Sequence, residues 1–338
     1  MLSLIVDSEV RTTSRKMIIM KSALVIGYGQ IGNEIASQLT AAGAHVAVAT
    51  RSAPAAVPVV AAGSGSADSP YTDHARIDRI RADATDSEQL REAAAGSEVI
   101  FACVHAPYDS RVWAQVLPQM EKTIMDVAAE LGMPVIFPES VYAFAGLHRA
   151  VTESSPFAPV EEKGRIRQQL MEARLEHPAT SASIIAGDLL GRSAQPWSSV
   201  VKMCITTPIA KWHRAIVPAR SDVAHGITVI EDLAAAMIRA AQLLEDVPAG
   251  THRRLIAPSS NPTLGEIAEF THEHLGTRPR RPLSLPRWTT RVAGVFERSM
   301  YELNQLAPIW YSPCVIETGE FAKDLGTTDW REGVTQML

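Results

Sequence analysis

The chain has 338 residues, 46% of them hydrophobic and 20% charged, with a formal net charge of -5. That length supports a large core, the composition is that of a globular protein, and the net charge advertises no surface for nucleic acid or an anionic membrane. Three cysteines, Cys103, Cys204 and Cys314, without CxxC spacing, argue against a disulfide framework or a zinc site and fit a reducing, cytoplasmic setting.

Residues 1–20 read as an extension ahead of the fold, with Met17 and Met20 as alternative starts. The apolar run 23–26 ends in glycine, as a buried parallel strand does. Ile31, Ile35 and Leu39 then recur at helical spacing, Ala42-Gly43 closes the helix, and 45–49 forms the next strand. Residues 52–70, rich in Ala, Pro, Gly and Ser, read as a mobile surface loop. A strand at 77–81, a helix at 86–95 and a buried strand at 98–104 follow. A long helix at 110–131 carries Pro118, which is expected to bend or split it. Strands at 134–137 and 182–186 flank a helix at 161–174.

Beyond residue 187 the pattern changes. A helix at 231–244, a strand at 252–256, a helix opened by the capping-box spacing Thr263–Glu266, and a helix at 286–306 describe a smaller α+β lobe. The expected class is therefore α/β. Residues 21–187 build a doubly wound parallel sheet, with smaller contributions from later segments, and residues 188–338 are mainly a substrate lobe.

The chemistry begins at Gly27-Tyr28-Gly29-Gln30-Ile31-Gly32, a G-x-G-x-x-G run between a predicted strand and helix, which is the context of a Rossmann phosphate loop. Gly27 makes the turn, Gly29 admits a pyrophosphate to the backbone, and Gly32 lets helix and strand pack closely. The helix N-terminus then offers its amides to the anion. An NAD site usually has Asp or Glu at the end of the second strand, whereas this chain has Arg51-Ser52, a guanidinium and a hydroxyl suited to a 2′-phosphate. NADP(H) is expected over NAD(H). Asp83 is placed to accept from the adenine amino group, and Asp86 to cap the next helix.

Together, the glycine loop, Asp83-Ala84 and the segments 138–146, 152–167 and 228–236 resemble the short-chain dehydrogenase/reductase superfamily, in its extended and atypical branches, including NAD-dependent epimerase/dehydratase-like and NmrA-like members. The resemblance implies that Asp83 and Ala84 lie along the adenine, that 102–106, including His105, borders the nicotinamide ribose, and that the second half holds substrate. It also exposes two departures. In Glu139-Ser140-Val141-Tyr142, the position of the catalytic Ser or Thr is best matched by Pro138. In the stretch 163–167, Lys163 stands where the family's catalytic tyrosine belongs and Arg167 where its lysine belongs.

A carbonyl reduction needs a proton donor. Tyr142 and Lys163 are the candidates, with Arg165 and Arg167 expected to lower the lysine pKa, and with His105 and Tyr108 reaching the same crevice. Lys163 is also a candidate cofactor contact. Each residue has a structural alternative: a solvated or ribose-binding lysine, a packed aromatic, a loop-capping histidine. Arg192, His213, Arg214, Arg220 and His225 could line the substrate lobe. His213 and His225 lack metal-ligand spacing, so no metal is expected. Two functions follow. One is an NADP(H)-dependent oxidoreductase or epimerase acting on a small carbonyl or hydroxyl compound. The other is a catalytically silent NADP(H) sensor. A sugar-nucleotide epimerase with ordinary family chemistry is weakened by the missing tyrosine. The helices at 110–131 and 160–175 could pair subunits into a homodimer.

Overall fold

The computed structural model describes residues 20–52, 77–295 and 297–338. All but the last residue of the expected extension 1–20 and all but the first residue of the loop 52–70 lie outside them; that last residue, Met20, is buried against the sheet's core rather than ahead of the fold. In chain order the first half comprises β1 (Ser22–Ile26), α1 (Gln30–Ala41), β2 (His45–Thr50), β3 (Ile77–Arg81), α2 (Ser87–Ala94), β4 (Ile100–Ala102), α3 (Ser110–Leu131), β5 (Val135–Ser140), α4 (Glu162–Glu176) and β6 (Ser181–Ala186). The second half comprises β7 (Asp188–Leu190), α5 (Thr207–Trp212), β8 (Ile216–Val217), β9 (Ile227–Val229), α6 (Ile230–Leu244), β10 (His252–Ile256), α7 (Leu264–His274), β11 (Leu283–Ser284), α8 (Arg287–Ala293), α9 (Arg298–Asn304), α10 (Ala307–Trp310), α11 (Glu320–Leu325) and α12 (Trp330–Thr335).

Seven strands form one parallel sheet in the order β10-β6-β5-β4-β1-β2-β3. This is the expected doubly wound Rossmann sheet. Its central strands are apolar on both faces because helices cover both. One core gathers Val25, Ile35, Val46, Phe101, Ile136 and Met237, and another gathers Leu24, Ile26, Trp113, Leu117, Ile124 and Phe137. The α6 and β10 segments, placed in the smaller lobe by the change of pattern along the sequence, belong to this sheet. Here β10 pairs in parallel with β6, and α6 packs beside α1. A third core joins the turn at 141–144 to α5, α7, α10 and α12 in the C-terminal half.

Three local expectations differ. The helix α3 runs unbroken through Pro118. Buried Trp113, Leu117, Met120 and Ile124 hold both sides of the proline against the sheet, which outweighs one lost backbone bond. The strand expected at 98–104 shrinks to β4, because the Cys103 amide turns back to the Phe101 carbonyl and the chain leaves the sheet. The single helix expected at 286–306 is two helices. Gly294 lies between them, where a Cβ would stand 2.9 Å from the Tyr301 backbone, and Glu297 caps α9 through the Met300 amide.

Candidate functional site

The β1–α1 turn is shaped by crowding. Gly27 has φ +92°, and a Cβ there would lie 2.8 Å from the Cys103 carbonyl oxygen. A Cβ on Gly32 would overlap the Gly27 carbonyl oxygen, so α1 can approach β1 only through glycine. Gly29 differs: a Cβ there would meet nothing within 4 Å, so the turn presents bare backbone outward. Helix α1 also opens without a side-chain cap, whereas α2 and α3 are capped by Asp86 and Asp109. An uncapped N-terminus beside an open glycine fits an anion such as a pyrophosphate.

The other residues of the loop have structural partners. Tyr28 packs on the core and receives the Arg79 guanidinium over its ring at 4.6 Å, and Ile31 packs against the same core. The Gln30 Oε1 accepts from the Gln195 amide at 3.0 Å and from Ser198 Oγ at 2.9 Å, tying the loop to the second half of the chain.

At the ends of β2 and β3, Arg51, Arg81, Asp83 and Gln89 line a depression of about 440 Å³. Arg51 and Ser52 are exposed there. Arg81, absent from the sequence-based list, adds a second guanidinium. The sequence showed only a basic residue at the end of a strand; the β2–β3 register, which pairs Arg81 with Thr50, is what brings it beside Arg51. Asp83 accepts from Thr85 N and Oγ1 through Oδ1, and these bonds hold its carboxyl below the usual range. Ala84 is buried against the same wall, and Asp86 caps α2 as expected.

The crevice beyond β4 and β5 is aromatic. Tyr108 Oη and Tyr142 Oη are 3.1 Å apart. Trp113 stacks with Tyr142 at 6.3 Å and meets Tyr108 and His105 edge-on. Both phenol pKa values are raised, that of Tyr142 by burial and that of Tyr108, which is 44% exposed, by partial desolvation and its contact with the Tyr142 hydroxyl, so both hydroxyls keep their protons at neutral pH. His105 is exposed and binds the Ala106 carbonyl oxygen through Nδ1 at 2.7 Å. Its apolar surroundings, with the Arg167 charge, push the imidazole down to about 4.

The Lys163-Gly164-Arg165-Ile166-Arg167 stretch has a local reason. A Cβ on Gly164 would sit 2.6 Å from the Tyr142 carbonyl oxygen, so α4 docks on the 141–144 turn only through glycine. Lys163 is 1% exposed. Its Nζ lies 3.2 Å from the Tyr108 ring centroid and 2.7 Å from Glu302 Oε2 on α9. The latter contact is off the hydrogen-bonding angle and acts charge to charge. Glu302 also pairs with Arg298 and accepts from Ser110 N and Oγ.

Burial, opposed by Glu302, brings the lysine down to about 8. The expected neighbours are not the cause: Arg165 binds the Val160 carbonyl, and Arg167 pairs with Glu139 at 2.6 Å. Behind them, fully buried Arg174 grips Glu121 through two nitrogens and Glu139 through a third. Ser140, offset from the family's catalytic position, caps the 141–144 turn and donates to Glu139.

The cationic candidates of the second half do not converge. Arg192 pairs with Glu231, Arg220 with Asp222, and His225 is buried against Trp310, while His213 and Arg214 face outward. Asp188, which sequence reasoning missed, does approach the crevice. It accepts from the Val200 and Val201 amides and Ser199 Oγ, and burial raises it to about 6.

Comparison with solved structures gives the same fold at low identity. A UDP-glucose 4-epimerase from Thermotoga maritima with UDP-glucose is 14% identical, with a TM-score of 0.66 over 94% of this chain and 97% of that one. The Bordetella bronchiseptica enzyme WbmG in complex with NAD is 15% identical, with a TM-score of 0.66 over 96% and 94%. The dTDP-glucose 4,6-dehydratase DesIV from Streptomyces venezuelae, a double mutant with NAD bound, is 14% identical, with a TM-score of 0.67 over 93% and 96%. No curated protein sequence matches the chain. The NmrA-like family model matches residues 20–282, most of the chain and all of the Rossmann sheet, and the chain therefore belongs to the NmrA-like family.

Proposed function

We propose that this protein binds NADP(H) along the β1–α1 turn and acts as an oxidoreductase or epimerase on a small carbonyl or hydroxyl compound. The observation that carries the reading is the pair Arg51 and Arg81 beside one depression at the strand ends, next to an uncapped α1. Two guanidiniums suit a 2′-phosphate, and β2 carries no terminal carboxylate to repel it. The nicotinamide cofactors named with WbmG and DesIV support the same class of ligand.

The bound cofactor would supply or accept hydride. The chain's own part is proton transfer, and we assign it to the Tyr142 hydroxyl with Tyr108 as the adjacent link, since the two oxygens are in hydrogen-bonding reach. Lys163 takes a positioning part: its charge lies under the Tyr108 ring and ties α4 to α9. Buried Trp113 packs against both phenol rings.

A silent NADP(H) sensor is the second reading, favoured by the enclosure of Lys163 in an ion pair where the family has its catalytic tyrosine. Titration with NADPH, NADP+, NADH and NAD+, followed by NADPH consumption over a carbonyl panel, separates the two. Arg51→Ala and Arg81→Ala should each weaken NADPH by about tenfold to a hundredfold and leave NADH nearly unchanged. Tighter binding of NADH than NADPH by the wild type rejects the cofactor assignment. Turnover that survives Tyr142→Phe and Tyr108→Phe rejects the proton path. Tight binding without any turnover selects the sensor.

A further inference from the structure

The net charge of -5 conceals an uneven distribution. Residues 189–221 contain five cations (Arg192, Lys202, Lys211, Arg214 and Arg220) and no carboxylate. Residues 274–296 contain five more (Arg278, Arg280, Arg281, Arg287 and Arg291), again with none, so all 37 Asp and Glu lie elsewhere in the chain.

The fold brings these two segments together. β8 pairs in parallel with β11, aligning Ile216 with Leu283. The Leu283 amide also donates to the Ala215 carbonyl, next to Arg214. The apolar side chains in this region point outward: Trp212 is 69% exposed, Trp288 65%, and Ile216, Leu283 and Val292 are exposed as well. On α8, Trp288 and Val292 share a face at i, i+4 beside Arg287 and Arg291. Among the described residues, the one carboxylate within ion-pair reach of Lys211, Arg214 or the five arginines of 278–291 is Glu161, 3.7 Å from Arg287.

We propose that this face, formed by α5, β8, β11 and α8, docks peripherally on an anionic phospholipid surface. The chemistry of the patch selects that occupant. Exposed tryptophans and aliphatic side chains interleaved with unpaired Arg and Lys match the boundary between headgroups and acyl chains. Uncompensated cations draw the face to anionic lipid. A duplex nucleic acid would engage the cations and leave Ile216, Leu283 and Val292 against water. A second copy meeting the same face across a two-fold axis would set cations against cations. Among the described residues no helix is long and apolar enough to cross a membrane, so the contact is superficial.

The test is co-sedimentation of the full chain with vesicles of phosphatidylcholine alone and of phosphatidylcholine mixed equally with phosphatidylglycerol, at low and high salt. Binding to the anionic vesicles, suppression by salt and a blue shift of tryptophan emission are expected. Arg280→Glu with Arg281→Glu, and separately Trp212→Ser with Trp288→Ser, should each weaken binding by about tenfold or more. Unchanged melting temperature and NADPH affinity in the variants exclude misfolding. The proposal is overturned by no binding to anionic vesicles, by equal binding to neutral ones, or by variants that bind as the wild type does. It is also overturned if the same substitutions instead abolish retention of duplex DNA, or dissolve a dimer seen by sedimentation, while vesicles are ignored.

Discussion

Replacing Lys163 with Met tests the assignment of that residue most sharply. Lys163 is 1% exposed, and burial brings its ammonium from 10.5 to about 8 despite Glu302 at 2.7 Å. The unfolded chain therefore binds more protons than the folded one between pH 8 and 10.5, so this group makes stability rise with pH across that window. Below pH 8 the charged lysine disfavours the fold by a constant amount. At about 1.4 kcal/mol per pH unit, the difference is about 3 kcal/mol.

The variant leaves Glu302 a charged partner, because Oε1 keeps Arg298 and both Ser110 donors, although the buried Oε2 loses its contact with Nζ. Lys163→Met should thus be as stable as the wild type at pH 7, or more stable by up to about 3 kcal/mol, with the difference shrinking toward pH 10.5. Urea unfolding followed by circular dichroism at pH 7, 8, 9 and 10 measures it. A variant at least about 2 kcal/mol less stable, by a margin independent of pH, would refute the reasoning, since the pair would then be a net stabiliser. Retained NADPH turnover would support the positioning role over the role of proton donor.

Three further outcomes are expected. Arg174→Met removes the only ion-pair partner of Glu121 among the described residues and one of two for Glu139, and should cost about 3–5 kcal/mol. A loss under about 1 kcal/mol in urea unfolding would show that the network is not coupled to stability. Burial and the nearby Arg174 and Arg254 charges lower His252 to about 4. The unfolded chain protonates first, so stability falls as pH drops from 6.5 toward 4, by up to about 3 kcal/mol. His252→Gln should flatten that part of the pH profile, and an unchanged profile contradicts the assignment. Gly32→Ala forces a Cβ into the Gly27 carbonyl and should move α1 off β1, with NADPH affinity falling by about tenfold or more. Unchanged affinity in titration would mean that the turn does not hold the phosphates.

Much of the fold was legible in local pattern. The strand at 77–81 and the capping box at Thr263 fall where sequence puts them, because a short strand run and helix-capping chemistry are set by residues close in the chain. The break at Gly294 was not legible, since it depends on the close approach of Tyr301 from the next helix. Pro118 does not split its helix for the converse reason: packing on both sides overrides a local rule.

The same division runs through the site. Gly27, Gly29 and Gly32 announced themselves through their spacing between a strand and a helix; Gly27 and Gly32 answer a steric demand made by their neighbours, whereas Gly29 faces open space. The sequence by itself also placed Arg51 at a strand end and removed the tyrosine from the Lys-Gly-Arg stretch. Only the tertiary structure set Arg81 beside Arg51 across the β2–β3 register, brought Tyr108 to Tyr142 from two separate strand ends, and closed Lys163 onto Glu302, 139 residues away. Charge and hydroxyl groups interact through space at 3 Å, and no periodicity along the chain encodes which distant residue arrives there.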